Sequence, residues 1–237
     1  MAMPFDPVAR RPVSEVVFED LRAAILSGRL TAHAALPPER TLSDTFSVNR
    51  HAVREALKRL QQAGLVEVHH GGATRVRDWR ASGGLDLLAQ LPLVGEEGGA
   101  AEVLRSVVEA RRCIGIDIAR LAAERATRAA VVELRARTSA LAADDLEAAA
   151  VRYEELWRVL VRACDNVAYE LAYNSLLAAT DAALPASRAV FADEVRAVDG
   201  HRDLVEAIAL GDGELAAVRA DVLLSRSLDS APAVPRA

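Results

Sequence analysis

The run over residues 36–66 constrains the fold of this chain more than any other part of it. It reads Leu36-Pro37-Pro38-Glu39-Arg40-Thr41-Leu42-Ser43, then Val48-Asn49-Arg50-His51-Ala52-Val53-Arg54-Glu55-Ala56-Leu57, and closes on Gly64-Leu65-Val66. Proline is tolerated in the first turn of a helix, where its missing N–H is not needed. The helix so opened buries Leu42 and Phe46 and gives way near Ser47. Asn49 has the side chain of an N-cap, Val53, Leu57 and Leu60 repeat along one helix face, and Gly64 is a stop. Upstream, Val17, Leu21, Ala24 and Ile25 recur with the same period, and Gly28 ends the pattern. Downstream, residues 65–69 and 73–77 are strand-like and join through Gly71-Gly72 as a hairpin tip. Two helices with a tight turn between them, a helix before and a hairpin after, predict a winged helix-turn-helix over residues 13–78.

The third helix of that unit carries its polar residues at one end. Asn49, Arg50, His51 and Arg54 lie on or beside its exposed N-terminal turns while the apolar positions face inward. The planar fork of arginine matches O6 and N7 of guanine, a contact worth roughly 1–3 kcal/mol of base discrimination. A lone arginine on a helix is ordinarily a solvated face; two of them beside a tight turn and a wing point to double-stranded DNA. Arg40, at the start of the second helix, is placed to reach the same groove or a phosphate. Glu39 and Glu55 are read as orienting arginines. His70, Gly71 and Gly72 occupy the wing, where glycine lets a backbone come close to a groove wall. His33 and Lys58 are read as surface residues.

Beyond the wing the pattern changes. Residues 1–12 carry three prolines and read as a mobile terminus, and residues 79–99 as a linker broken by glycines. Residues 100–230 are helical in period almost throughout, over roughly 100–128, 130–143, 145–164, 167–183, 188–210 and 212–228. Apolar residues make up 51% but aromatics only 4%, so the core is one of Ala, Leu and Val, which favours helices. The fold class expected is therefore mostly α, an N-terminal winged helix-turn-helix plus a C-terminal antiparallel bundle of about six helices. The net charge of −5 divides unevenly: residues 1–80 hold 12 basic and 9 acidic side chains, the remainder 17 and 25. A mildly basic head on an acidic body fits a DNA-reading unit attached to something else. No apolar run long enough for a membrane span or a signal peptide is present, so the expected location is cytoplasmic. Cys113 and Cys164 fall in helical patterns and are read as buried free thiols. No Glu-x-x-His pair, phosphate loop or nucleophile motif appears, which argues against an enzyme.

These residues resemble the GntR family of bacterial regulators. Its pattern of LRxxIxxGxL, then LPxERxLxxxxxVxRxxVREALxxLxxxGLV and a glycine wing, is matched at residues 21–30 and 36–66. The resemblance implies DNA contacts from Arg40, Asn49, Arg50, His51, Arg54, His70 and Gly71, and a homodimer on a short inverted repeat. Gly72 departs from the family, which often has a basic residue there. The stretch from Glu109 to Thr127 resembles the all-helical effector domain of the FadR subfamily. Many such domains hold a metal with Asp-x-x-x-His on one helix and two later histidines. Here Tyr153 and Trp157 stand at the first two positions, and His201 is followed by Leu223. One imidazole does not hold a divalent ion, so no metal and no cofactor are expected. The same exchange suits an apolar tunnel. Arg111 and Ser227 match an arginine and a serine near the ligand site of acyl-CoA-responsive members. The resemblance thus implies an effector set of Arg111, Tyr153, Trp157, His201, Leu223 and Ser227, in a repressor released by long-chain acyl-CoA. Another carboxylate or apolar metabolite is the alternative, as is a ligand-independent DNA-binding dimer in which Tyr153 and Trp157 are core.

Overall fold

The computed structural model describes residues 11–68, 73–91, 99–142, 145–183 and 186–233. By its contacts the chain forms two compact units, Met1–Gly84 and Leu85–Ala237, so the boundary falls inside the stretch read as a linker.

In the first unit, α1 (Val13–Leu26), α2 (Glu39–Phe46) and α3 (Arg50–Gln62) surround a core of Val17, Leu21, Ile25, Leu42, Val53 and Leu60. Each boundary has a local cause. Gly28 and Gly64 sit at φ +79° and +70°, where a side chain would be strained. Asn49 accepts a hydrogen bond from the Ala52 N–H at 2.9 Å and starts α3. The turn between α2 and α3 passes through Ser47 at φ +53°, and the Ser43 hydroxyl braces it by donating to the Val48 carbonyl. Two short antiparallel strands follow, β1 (Val66–Glu67) and β2 (Arg75–Val76), paired Val66 to Val76 and Glu67 to Arg75. They are shorter than their sequence pattern, and the far side of β2 is bridged by Ala35, next to the left-handed His33. A single turn, α4 (Trp79–Ser82), capped by Asp78, closes the unit.

The second unit opens with a 3₁₀ turn over Leu85–Gln90 that packs on α8, and contains seven α-helices among the described residues. These are α5 (Gly99–Arg125), α6 (Arg128–Ser139), α7 (Leu146–Ala163), α8 (Val167–Ala182), α9 (Ala186–Val195), α10 (Val198–Ala209) and α11 (Gly213–Ser230). The long α5 lies along α11, with α7, α8 and α10 against it, around a core that includes Ile118, Leu134, Leu156, Trp157, Leu160, Leu204 and Leu224. Thr127, Asp145, Asn166 and Asp212 cap α6, α7, α8 and α11 through their side chains, as the sequence pattern of short polar residues leads one to expect.

Two expectations need correction. The helix expected over residues 188–210 is two helices, α9 and α10, separated at Arg196-Ala197. No proline or glycine marks that break. Ala197 leaves the helical conformation there with ψ +60°, and its carbonyl, the first acceptor of α10, takes both the backbone N–H and the ring Nδ1–H of His201. Cys113, expected to be buried, is exposed, because the narrow apolar stripe of α5 leaves it on the outer face; Cys164 is buried, and both thiols are free.

Candidate functional site

The first candidate site is the N-terminal end of α3. Arg50, His51 and Arg54 are exposed there, as are Arg40 on α2 and the capping Asn49. Their circumstances differ. Arg54 lays its fork on Glu39, with Nε at 3.2 Å from one carboxylate oxygen and Nη2 at 2.8 Å from the other. The hydrogen bond from Arg54 is the main cause holding the Glu39 carboxyl below its ordinary pKa, so the pair stays ionised. Arg40, Arg50 and His51 make no hydrogen bond or ion pair to any described residue. Glu55, expected to orient an arginine, pairs with Lys58 at 2.9 Å instead. That follows from helix geometry, since Lys58 lies one turn on and Arg54 already points back to α2. Behind this face Arg59 reaches Glu15 on α1 at 3.0 Å and covers the Phe18 ring at 4.2 Å, which fixes α3 against α1. His70, Gly71 and Gly72 lie outside the described residues.

The second candidate site is inside the helical unit, and its centre is a residue the sequence reading missed. Glu194, on α9, is 0% exposed. Arg111 of α5 donates to both of its oxygens, at 2.9 and 2.8 Å. Tyr153 of α7 and Ser227 of α11 each add a hydroxyl hydrogen bond, one to each oxygen. Four helices therefore meet on one carboxylate whose acceptor capacity is filled. The Arg111 guanidinium also lies 5.0 Å from the Phe191 ring, 5.5 Å from Trp157 and 5.6 Å from Tyr153, an aromatic surround suited to a buried cation. A signal for Glu194 did exist. Ser187, Val190 and Glu194 form the buried stripe of α9 at helical spacing, and a glutamate on such a stripe implies a buried partner.

Of the six residues expected to bind an effector, Arg111, Tyr153 and Ser227 converge on Glu194. His201 is packed edge-on against Tyr153, ring centres 5.4 Å apart. Burial holds its pKa below the ordinary histidine value, so the ring is neutral at pH 7. Its Nδ1 takes the Ala197 carbonyl at 2.9 Å, and Nε2 has no partner among the described residues. Trp157 is 2% exposed, its indole N–H likewise unpartnered, and it lies against Gly115, where an added Cβ would come 3.6 Å from the ring and 2.5 Å from Leu224. Leu223 is a core residue packed over Gly200. These residues do not suit a divalent metal. One imidazole is present, and the adjacent carboxylate is already neutralised by an arginine.

Arg111 and Tyr153 face a second environment as well. They line a cavity of about 300 Å³, with Tyr173, Leu176, Phe191 and Val195 among its other walls. Burial pushes the Tyr173 hydroxyl up to about 12, so it too is uncharged. The cavity is thus mostly apolar, with the buried Arg111 and Tyr153 in its wall and Glu147, Glu154, Asp181 and Arg188 also lining it, an arrangement that can take a small ligand.

Comparison with known proteins agrees with this division. Residues 13–76 match the gntR family of bacterial regulatory proteins, and residues 106–225 match the FCD domain. The HTH-type transcriptional regulator Mce2R of Mycobacterium tuberculosis is 37% identical over 233 residues, covering 98% of this chain and 97% of that protein. A fatty acid metabolism regulator protein of Edwardsiella ictaluri is 30% identical over 164 residues, covering 67% and 65%. Among solved structures, Lar of Listeria monocytogenes, described as controlling expression of the agr system, aligns with a TM-score of 0.57 at 16% identity, covering 97% and 98% of the two chains. That likeness is one of fold.

Proposed function

This chain belongs to the gntR family of bacterial regulatory proteins and carries the FCD domain behind its winged helix, and on that premise we propose that it is a repressor released from its operator by a small metabolite bearing an apolar chain. The observation that carries the reading is the mainly apolar cavity with Arg111 and Tyr153 in its wall in the helical unit. In this reading α3 enters the major groove, with Arg50 and His51 addressing bases or phosphates, Arg54 set by Glu39, Asn49 and Arg40 beside them, and the His70-Gly71-Gly72 wing alongside. Two copies of the chain would read the two halves of an inverted repeat.

Long-chain acyl-CoA is the first effector to try, and the similarity to a relative named for fatty acid metabolism supports it. Ligand binding must favour a conformation of the helical unit in which the two reading heads no longer match the operator. The coupling is limited by the ligand's difference in affinity between the two states. One observation favours a second reading. The cavity of about 300 Å³ holds on the order of ten heavy atoms, taking about 30 Å³ for each as for a water molecule. A compact apolar acid enters without rearrangement, whereas a long acyl chain requires the cavity to open.

The test is fluorescence anisotropy of DNA from upstream of the gene, titrated with long-chain acyl-CoA and separately with medium-chain acids, with free CoA as control. Release by the acyl compound alone supports the proposal. Tight binding unchanged by acyl-CoA and by medium-chain acids would leave a DNA-binding dimer with no acyl effector.

A further inference from the structure

The placement of Glu194 bears on what the cavity selects. Arg111, Tyr153 and Ser227, from three different helices, present a planar fork and two hydroxyls to one point, and a side-chain carboxylate of the protein's own occupies it. Two of the three, Arg111 and Tyr153, are also walls of the cavity, so a ligand there lies beside groups already arranged around a carboxylate. Ser187, Phe191 and Val195 on the same helix as Glu194 line the cavity too, so a ligand touches the helix that carries the resident acid. Two buried polar atoms close by, His201 Nε2 and Trp157 Nε1, have no partner among the described residues.

We propose that Arg111, Tyr153 and Ser227 form a carboxylate receptor, that Glu194 fills it in the free protein, and that the effector is an apolar monocarboxylic acid whose head group takes the place of Glu194. This deepens the effector reading above in its compact-acid form, and rests on it. The exchange conserves charge and hydrogen-bond count around Arg111, because one carboxylate arrives as another passes out to solvent with the movement of its helix. An alcohol, an amide or a thioester offers no such exchange, since a neutral head in that place would leave Arg111 as a buried unpaired charge. The receptor therefore discriminates a free acid from its neutral derivatives. The exchange also supplies the movement that regulation requires. Glu194 is a polar attachment of α9 to α5, α7 and α11, and its displacement removes those hydrogen bonds, leaving the Arg188–Glu147 ion pair and the apolar packing of Val190 and Phe191.

The test uses octanoate, whose size suits the cavity, with octanamide and sodium chloride at matched ionic strength as controls. Titration calorimetry compares the full-length protein with Glu194→Ala and Glu194→Gln. We expect octanoate to bind both variants at least tenfold more tightly than it binds the unaltered protein. We also expect it to raise the unfolding temperature of Glu194→Ala, with neither control doing so. Should Glu194→Ala fail to fold alone, its refolding yield in octanoate against octanamide reads the same property. Binding of octanoate to the variants no tighter than to the unaltered protein, or octanamide matching octanoate, overturns the exchange. The regulator reading is judged separately by operator anisotropy. Release by acyl-CoA with no gain of octanoate affinity in the variants sinks the exchange alone. Octanoate filling the variants, with no acyl compound changing operator affinity, sinks the effector reading and leaves the receptor.

Discussion

The chain builds the same fork twice, once in each unit, and to different ends. In the winged helix Arg54 clasps Glu39 with both side chains in contact with water, at 58% and 36% exposure. In the helical unit Arg111 clasps Glu194 at 10% and 0% exposure. Distances and geometry are nearly the same, so the difference lies in the medium. At the surface, water and salt screen the attraction and stand ready to solvate either partner, so the pair orients a side chain without holding the fold together. In the interior neither charge can be left alone, so the pair is locked until something of equal charge replaces a member of it. The first setting suits the DNA contact proposed for Arg54, and the second suits the ligand exchange proposed for Glu194.

The comparison breaks most visibly if the buried fork proves dispensable. Glu194→Ala strands Arg111 among aromatic rings, and a loss of about 3–5 kcal/mol of stability is expected for an uncompensated buried charge. Urea unfolding followed by circular dichroism measures it, and a loss below about 1 kcal/mol would mean that water reaches the site. Next in size is Arg50→Ala, where loss of a base-reading fork should weaken operator binding by about 1–3 kcal/mol while leaving the melting temperature unchanged. Gel shift beside thermal unfolding separates the two quantities, and retained operator affinity would remove α3 from the interface.

His201 gives a smaller effect with a definite sign. Burial depresses its folded pKa, so as pH falls below about 6.5 the unfolded chain takes up a proton that the folded chain refuses. Stability should fall from that pH downward to the folded pKa and then level off. His201→Asn should remove this portion of the slope in melting temperature between pH 7.5 and 5.5. Smallest is Glu39→Ala. Its folded pKa is lowered by Arg54, so whatever it contributes is present above the ordinary carboxylate range and is lost as pH falls through the depressed value. At neutral pH the melting temperature should not move measurably. Operator affinity should fall severalfold as Arg54 loses its brace, and an unchanged affinity would make Arg54 a solvated bystander.

The two units also differ in how openly the sequence displays them. The reading head was legible because its determinants are local. Asn49 caps a helix three residues ahead, Gly28 and Gly64 mark left-handed turns, and the stripe of Val53, Leu57 and Leu60 faces the core as spaced. The misassigned detail there, Glu55, came from choosing between two basic residues that both lay within reach. In the helical unit most helix bounds were equally readable. The division of α9 from α10 was not, since the chain leaves the helix at Ala197 with no proline, glycine or capping side chain to mark it. The cluster around Glu194 was legible in part. Arg111, Tyr153 and Ser227 stand out by their chemistry, but Glu194 lies 83, 41 and 33 residues from them along the chain.

By itself the sequence determined what depends on near neighbours: periodic apolar faces, helix caps, the positive-φ glycines and the exposed basic end of α3. Those are set by sterics and hydrogen bonds within a turn or two. Only the tertiary structure decided which polar residues share a site. Burial makes a charge costly until a partner is found, and the partner of Arg111 was fixed by how α5, α7, α9 and α11 pack, not by any spacing along the chain.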